Sequence, residues 1–231
     1  MIDWHCHVLP NMDDGSRNVD ESLAMLDALR QQGVSQVVAT PHFYASDESV
    51  DDFLGRRERS FQELLAKRPD LLGNMILGAE VSYYPGIHTM KGLRSLSIGE
   101  SNLLLLEMPM EHWSRSVVDE VMAIASTKNL VVVLAHVERY LVYGNEKYLN
   151  ALREHGVLMQ VNASFFRGFR NRHIALKMLR LETIDFIGSD SHNMTSRPPM
   201  LGDAYETIEK KLGAEFVSQF VYYGYNVLRH T

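Results

Sequence analysis

With Cys6 as the single cysteine, the chain cannot form an internal disulfide. That absence fits a reducing compartment, and the cytoplasm is the expected location. No apolar run approaches the roughly 20 residues that span a bilayer, so membrane insertion is not expected. The start, Met-Ile-Asp-Trp-His, has neither a basic region nor an apolar one behind it, so a secretory signal is not expected either. Basic excess is missing too: 23 Lys and Arg stand against 29 Asp and Glu, for a net charge of −6. This argues against a nucleic-acid partner held by a basic surface. Low-complexity stretches, Pro/Gly/Ser linkers and short repeats are absent. A single domain over residues 1–231 is therefore expected, and a 45% hydrophobic composition supplies a sizeable core.

What the chain has is a regular alternation. Short apolar, β-rich runs occur near 1–4, 36–40, 75–79, 102–106, 130–135, 157–161 and 184–188. Between them, residues 19–33, 50–67, 116–129, 145–155, 170–182 and 200–213 carry helical spacing. The first helix has Asn18 or Asp20 as a capping residue and Gly33 as a stop signal. Alternating strands and helices imply a parallel sheet. Runs such as Leu103-Leu104-Leu105-Leu106 read as strands buried on both faces.

Polar residues then fall at the strand ends. His5 and His7 follow the first run, His42 the second, Glu80 the third, Glu107 the fourth, His136 the fifth, Asn162 the sixth, and Asp190 and His192 the seventh. An open sheet would spread these groups along a line, whereas a barrel brings all C-terminal strand ends to one face. The expected fold is therefore α/β, a distorted (β/α)7 TIM-like barrel. In His5-Cys6-His7, residues two apart share one side of an extended strand, so both imidazoles can grip one ion while Cys6 turns into packing. Asp190-Ser191-His192 repeats the spacing. Imidazoles mixed with carboxylates suit Mn, Fe, Zn, Mg or Co, and a ligand set without cysteine disfavours a structural zinc. A cysteine-phosphatase loop is excluded because Met12 stands where an arginine would be needed six residues after Cys6. Of the remaining histidines, His155 and His173 read as surface residues of helices, His230 as part of a disordered terminus, and His88 and His112 as loop residues able to line a cleft.

The stretch MIDWHCHVLPNMDDG at 1–15, with ATPHFY at 39–44, GAEVSYYP at 78–85, LAHVERY at 134–140 and GSDSHN at 188–193, resembles the polymerase-and-histidinol-phosphatase (PHP) superfamily. More narrowly it resembles the bacterial tyrosine-protein phosphatase branch found in capsule and exopolysaccharide operons. The resemblance implies the PHP fold and three divalent ions, with Mn2+ first in expectation. It places one ion among His5, His7, Glu80 and Asp190, a second among Glu80, Glu107 and His136, and a third among Asp14, His42 and His192. Val137 departs from the proline common after the histidine, which alters turn stiffness and not ligation. The resemblance also implies that Arg139 and Arg197 hold phosphate, as an arginine fork does. Arg167, Arg170 and Arg172 could help receive a phosphopeptide or could simply start a solvated helix.

Four of the nine ligands are carboxylates. Three divalent ions would leave the site at about +2 and reverse the local field of an acidic protein. The resemblance implies phosphotyrosine as substrate and a Tyr-rich tail of a bacterial tyrosine autokinase as partner, with hydrolysis by water activated at a metal pair. His42 and His192 are candidate acids for the leaving oxygen. Rival readings are a small-molecule phosphatase such as a histidinol-phosphate phosphatase, an amidohydrolase, and a non-catalytic metal-stabilised module. The amidohydrolase reading is weakened by Glu107 standing where a bridging lysine would be expected.

Overall fold

The computed structural model describes residues 1–231, apart from the side chains of residues 72, 127 and 128. Its elements run β1 (Ile2–Cys6), α1 (Val19–Gln31), β2 (Gln36–Ala39), β3 (His42–Phe43), α2 (Val50–Lys67), β4 (Met75–Leu77), β5 (Glu80–Ser82) and β6 (Leu103–Glu107). They continue with α3 (Arg115–Lys128), β7 (Val131–Leu134), α4 (Glu138–Leu141), α5 (Glu146–Glu154), β8 (Leu158–Asn162), α6 (Phe169–Arg180), β9 (Phe186–Gly188), α7 (Leu201–Leu212) and α8 (Ala214–His230). Helix starts follow local chemistry. Asn18, Ser49 and Ser114 each accept a backbone N–H from the first turn of α1, α2 and α3. Each such cap is worth about 1 kcal/mol.

All strand pairs are parallel, in the orders β1-β2-β4 and β3-β5-β6-β7-β8-β9. Pro41, with no N–H to give, parts β2 from β3, and Gly78-Ala79 parts β4 from β5. The expected runs near 36–40 and 75–79 therefore end at Ala39 and Leu77, each is followed by a short strand that was not expected, and Glu80 opens β5 where it had been expected to end the third strand. Glu80 N donates to Pro41 O at 3.0 Å and Gly78 N to Ala39 O at 2.8 Å, so pairing carries across the breaks. The first strand also meets the last: Asp190 N donates to His5 O at 2.7 Å and His7 N to Ser191 O at 3.0 Å. The architecture is a mixed α/β fold on a curled parallel sheet.

Alternation sorts the strand residues into two cores. Leu104, Leu106, Val132, Leu134, Met159 and Val161 face outward to the helices. Ile2, Trp4, Val38, Leu103, Leu105, Val133 and Phe186 fill the concave side, where Trp4 and Phe186 stack at 3.8 Å. Such a pair adds about 0.5–1.5 kcal/mol beyond area burial. The C-terminal helix α8 was not expected, and His230, read as part of a disordered tail, ends it. Its Phe216, Val217, Phe220 and Val221 pack on the outer core, and Tyr225, Val227 and Leu228 on the inner one. Among the described residues no helix is long and apolar enough to cross a membrane.

Gly188 lets β9 approach β1. A Cβ there would lie 2.5 Å from His5 Cβ and 2.8 Å from His5 N. Gly188→Ala should therefore destabilise the chain by about 1–3 kcal/mol in urea unfolding, through overpacking. Gly73, where an added Cβ meets nothing within 4 Å, serves as the control: Gly73→Ala should stay within about 0.5 kcal/mol.

Candidate metal centre

Three local devices aim the polar residues. The register of β1 against β2 shifts between Asp3 and Cys6. Because of that irregularity Ile2 and Trp4 point into the inner core while His5 and His7 point to the same concave side. His136 and Asp190, at the ends of β7 and β9, are left-handed at φ 34° and 50°. Non-glycine residues held there store strain of about 1–3 kcal/mol, a recurrent feature of functional sites. Glu107 needs no such device, since it continues the inward face of Leu103 and Leu105.

Glu80 lies at the centre, 1% exposed. Its Oε2 is 3.1 Å from His5 Nε2, 3.2 Å from His7 Nε2 and 3.1 Å from His42 Nδ1, and its Oε1 is 2.9 Å from His136 Nε2. His136 Nε2 is 3.4 Å from Glu107. Asp190 Oδ1 is 3.8 Å from His5 and 3.6 Å from both His7 and His192. Asp14, on the exposed rim, is 3.3 Å from His192 and 3.6 Å from His42. Thus all nine residues expected from the strand ends and the Asp14 loop meet in one place. Donor atoms of eight of them, all but His136, form three overlapping groups: His5, His7 and Asp190; His42, Glu80 and Glu107; and His7, Asp14, His42 and His192. The groups overlap more than the expected partition, with His7 and His42 each shared.

This donor set fits divalent cations. Glu80 Oε2, His42 Nδ1 and His192 Nε2 are buried without a hydrogen-bond partner among the described residues. Three ring nitrogens surround Glu80 Oε2, yet none aligns to donate to it. Buried polar atoms left unpaired are costly, and a cation bound between them removes that cost. Mixed imidazole and carboxylate donors accept several first-row metals or Mg2+.

Charge is distributed accordingly. Burial alone would raise the Glu80 carboxyl, but the facing His5, His136 and His7 hold it well below the usual range. Burial would lower His7, yet Asp13 and Glu80 push it up to about 10. In the same way Glu107 and Glu80 overcome burial and take His136 to about 9. Burial lowers His42, and burial with the nearby His7 lowers His192 to about 4. Both are therefore neutral near pH 7, which favours them as lone-pair donors over proton donors.

Arg139 and Arg197 reach the same rim. Arg139 Nη2 donates to Asp190 Oδ2, and Arg197 Nη2 donates to Asp190 Oδ1 at 2.7 Å. His88 and His112, expected to border a cleft, are engaged elsewhere: His88 pairs with Glu120 at 3.4 Å and His112 Nδ1 meets Tyr143 O at 3.0 Å.

Sequence reasoning missed Asp13 and Gln160, which orient candidate ligands, and noted Asn162 at its strand end without giving it a role. Asp13 Oδ2 takes His7 Nδ1 at 2.8 Å and the His42 backbone N–H at 2.8 Å. Gln160 Oε1 lies 3.2 Å from His5 Nδ1 and accepts His136 N at 2.7 Å. The contacts to Nδ1 of His5 and His7 leave Nε2 of those two rings turned toward the centre. Asn162 donates to Asp190 Oδ2 at 2.6 Å. Gln160 and Asn162 were detectable as two polar residues of one parity in an apolar strand. Asp13 beside Asp14 was not distinguishable by residue type.

A curled parallel sheet with imidazole and carboxylate donors gathered at its strand ends defines a metal-dependent hydrolase. The chain belongs to the CpsB/CapC family of capsular polysaccharide synthesis, which matches residues 1–228. It is 29% identical over 223 residues to tyrosine-protein phosphatase YwqE of Bacillus subtilis, covering 93% of this chain and 86% of that one. It is 30% identical over 238 residues to tyrosine-protein phosphatase CpsB of Streptococcus pneumoniae, covering 93% and 92%. A solved structure from work on those two proteins, described as metal-dependent tyrosine phosphatases, superposes with a TM-score of 0.80 at 26% identity, covering 100% of this chain and 95% of that one.

Asp13→Ala should weaken metal affinity about 10- to 100-fold by freeing the His7 ring, measured by equilibrium dialysis with manganese. Unchanged affinity would remove Asp13 from the site. A cation taking His7 or His136 must displace a proton held to about pH 10 or 9. Apparent affinity should thus rise with pH from 6.5 to 8.5, by about tenfold per unit for each proton released. Titration calorimetry in buffers of differing protonation enthalpy reads both quantities, and pH-independent affinity would contradict the assignment.

Proposed function

We propose that the chain is a metal-dependent protein-tyrosine phosphatase, a single PHP-type domain over residues 1–231 built as a distorted (β/α)7 barrel. The observation that carries this reading is the convergence of His5, His7, Asp14, His42, Glu80, Glu107, His136, Asp190 and His192 on one rim, in a chain whose relatives are named tyrosine phosphatases. These nine residues would hold up to three divalent ions, Mn2+ foremost, with Fe, Co, Zn or Mg as alternatives. Bound cations supply activation of water and neutralisation of phosphoryl charge.

The chain's own residues do the remainder. His5, His7 and His136 present Nε2 because Asp13 and Gln160 fix what surrounds them. Arg139 and Arg197, held at the mouth by Asp190, exchange that carboxylate for phosphate oxygens when substrate arrives; the guanidinium fork suits both. The leaving group of phosphotyrosine is a phenolate, a better leaving group than an alkoxide, so its departure depends little on an acid. This agrees with His42 and His192 being neutral. The substrate proposed is phosphotyrosine on a bacterial tyrosine autokinase, with action in the cytoplasm and control of capsule or exopolysaccharide synthesis as the outcome. Nothing in the geometry or the relatives favours histidinol phosphate.

The test uses the manganese-loaded chain on a phosphotyrosine peptide and on histidinol phosphate, before and after chelation. The peptide should be preferred, and chelation should abolish turnover. His5→Ala and Asp190→Ala should lose metal and at least about a hundredfold in kcat, while Arg139→Ala should chiefly raise KM. Preference for histidinol phosphate, or turnover that survives chelation, would overturn the assignment.

A further inference from the structure

Beside the metal centre lies a cavity of about 310 Å³ lined by Tyr44, Ala45, Ser46, Ser82, Tyr83 and Tyr84. None of these residues belongs to the metal-binding set. Their position follows from strand register. The short strands β3 and β5 are parallel partners, with His42 opposite Glu80 and Phe43 opposite Val81. Side chains two apart along an extended segment share a side. His42 and Glu80 turn to the metal centre, and Tyr44 and Ser82 follow them on the same side, about 6.6 Å further out. The Tyr44 ring stacks on His42 with centroids 5.4 Å apart and planes 28° apart. On the other wall Ser82 pairs in register with Glu107, and Tyr83 N donates to Glu107 O at 2.8 Å. Both walls of the cavity are thus direct continuations of ligand-bearing strands.

The lining is aromatic and hydroxylic, without a lysine, arginine or carboxylate. Such a lining suits a group that is flat and uncharged at that end. A cavity of roughly 150 Å³ suffices for a benzene ring, so a phenyl ring fits here with room for its substituent. Rings offer offset stacking or edge-to-face contact with Tyr44 and Tyr84. We infer that this cavity is the subsite for the aryl ring of the substrate, with Tyr44 as its specificity-determining wall. The inference rests on the phosphatase reading and deepens it: the strand spacing that separates His42 from Tyr44 separates the phosphoryl end of an aryl phosphate from its ring. A short alkyl phosphate would fill only the metal end and leave the tyrosines uncovered.

Phenylphosphonate and methylphosphonate, which share a phosphorus head and resist hydrolysis, test this by calorimetry on the manganese-loaded chain. The phenyl compound should bind about tenfold more tightly. Tyr44→Ala should erase that preference and Tyr44→Phe should keep it. Ser82→Leu, which fills the cavity from the opposite wall, should weaken phenylphosphonate and leave methylphosphonate binding in place. Equal or absent binding of the two compounds by the native chain, or a preference that survives both Tyr44→Ala and Ser82→Leu, would overturn the subsite. Phenyl preference in a chain that fails to hydrolyse a phosphotyrosine peptide would keep the subsite and overturn the phosphatase reading instead.

Discussion

Glu80 is a buried carboxylate with four imidazoles between 2.9 and 3.2 Å from its two oxygens, and the arrangement of the strand ends depends on it. A carboxylate removed from water costs several kcal/mol unless charge and hydrogen bonds compensate. Protons on His7 and His136 provide part of that compensation, since both rings hold theirs to about pH 10 and 9. They do not complete it, because Glu80 Oε2 still lacks an aligned donor among the described residues. Divalent ions are the natural completion: they satisfy several lone pairs at once and do not require each ring to keep a proton. The same packing that makes the site expensive as a piece of core makes it effective as a ligand cage.

Building such a cage strains the backbone at chosen points. The irregularity in β1 reverses the parity between Trp4 and His5, so β1 and the residue just after it supply both the floor of the inner core and two candidate ligands, His5 and His7. Left-handed turns at His136 and Asp190 do the same for β7 and β9. Above the stacked Trp4 and Phe186, the concave side changes from apolar to ionic within one or two residues. The rigid floor matters because the orienting contacts from Asp13 and Gln160 act only if β1 and β8 hold their spacing. Gly188 sets part of that spacing by leaving room for His5.

Much of this was legible in the sequence. Continuous runs such as 103–106 identified buried parallel strands, and a His, Asp or Glu after six of the seven expected runs identified the face on which a site would form. The candidate ligands converge because each lies at or just beyond a strand end, with parity alone aiming Glu107 and local irregularities aiming His5, His136 and Asp190. Less local features escaped. The short strands β3 and β5 beyond Pro41 and Gly78-Ala79 are held by their pairing with each other and with β6, which is not a local signal. The orienting role of Asp13 depends on a loop fold that brings it, and not its neighbour Asp14, against His7. The helix α8 carried its own signal, with Phe216, Val217, Phe220 and Val221 at helical spacing, but its cover for the inner core exists only in three dimensions.

Membership in the CpsB/CapC family and a TM-score of 0.80 to a metal-dependent tyrosine phosphatase place the chemistry in a known class. A net charge of −6 is compatible with an anionic substrate, because bound cations, with Arg139 and Arg197 at the mouth, would make a site built partly from carboxylates locally positive. The most direct measurement is an anomalous-scattering map from crystals of the manganese-loaded protein. The account predicts manganese peaks within bonding distance of Glu80, His5, His7 and Asp190. Manganese found only away from these residues, in protein that still hydrolyses phosphotyrosine, would contradict it.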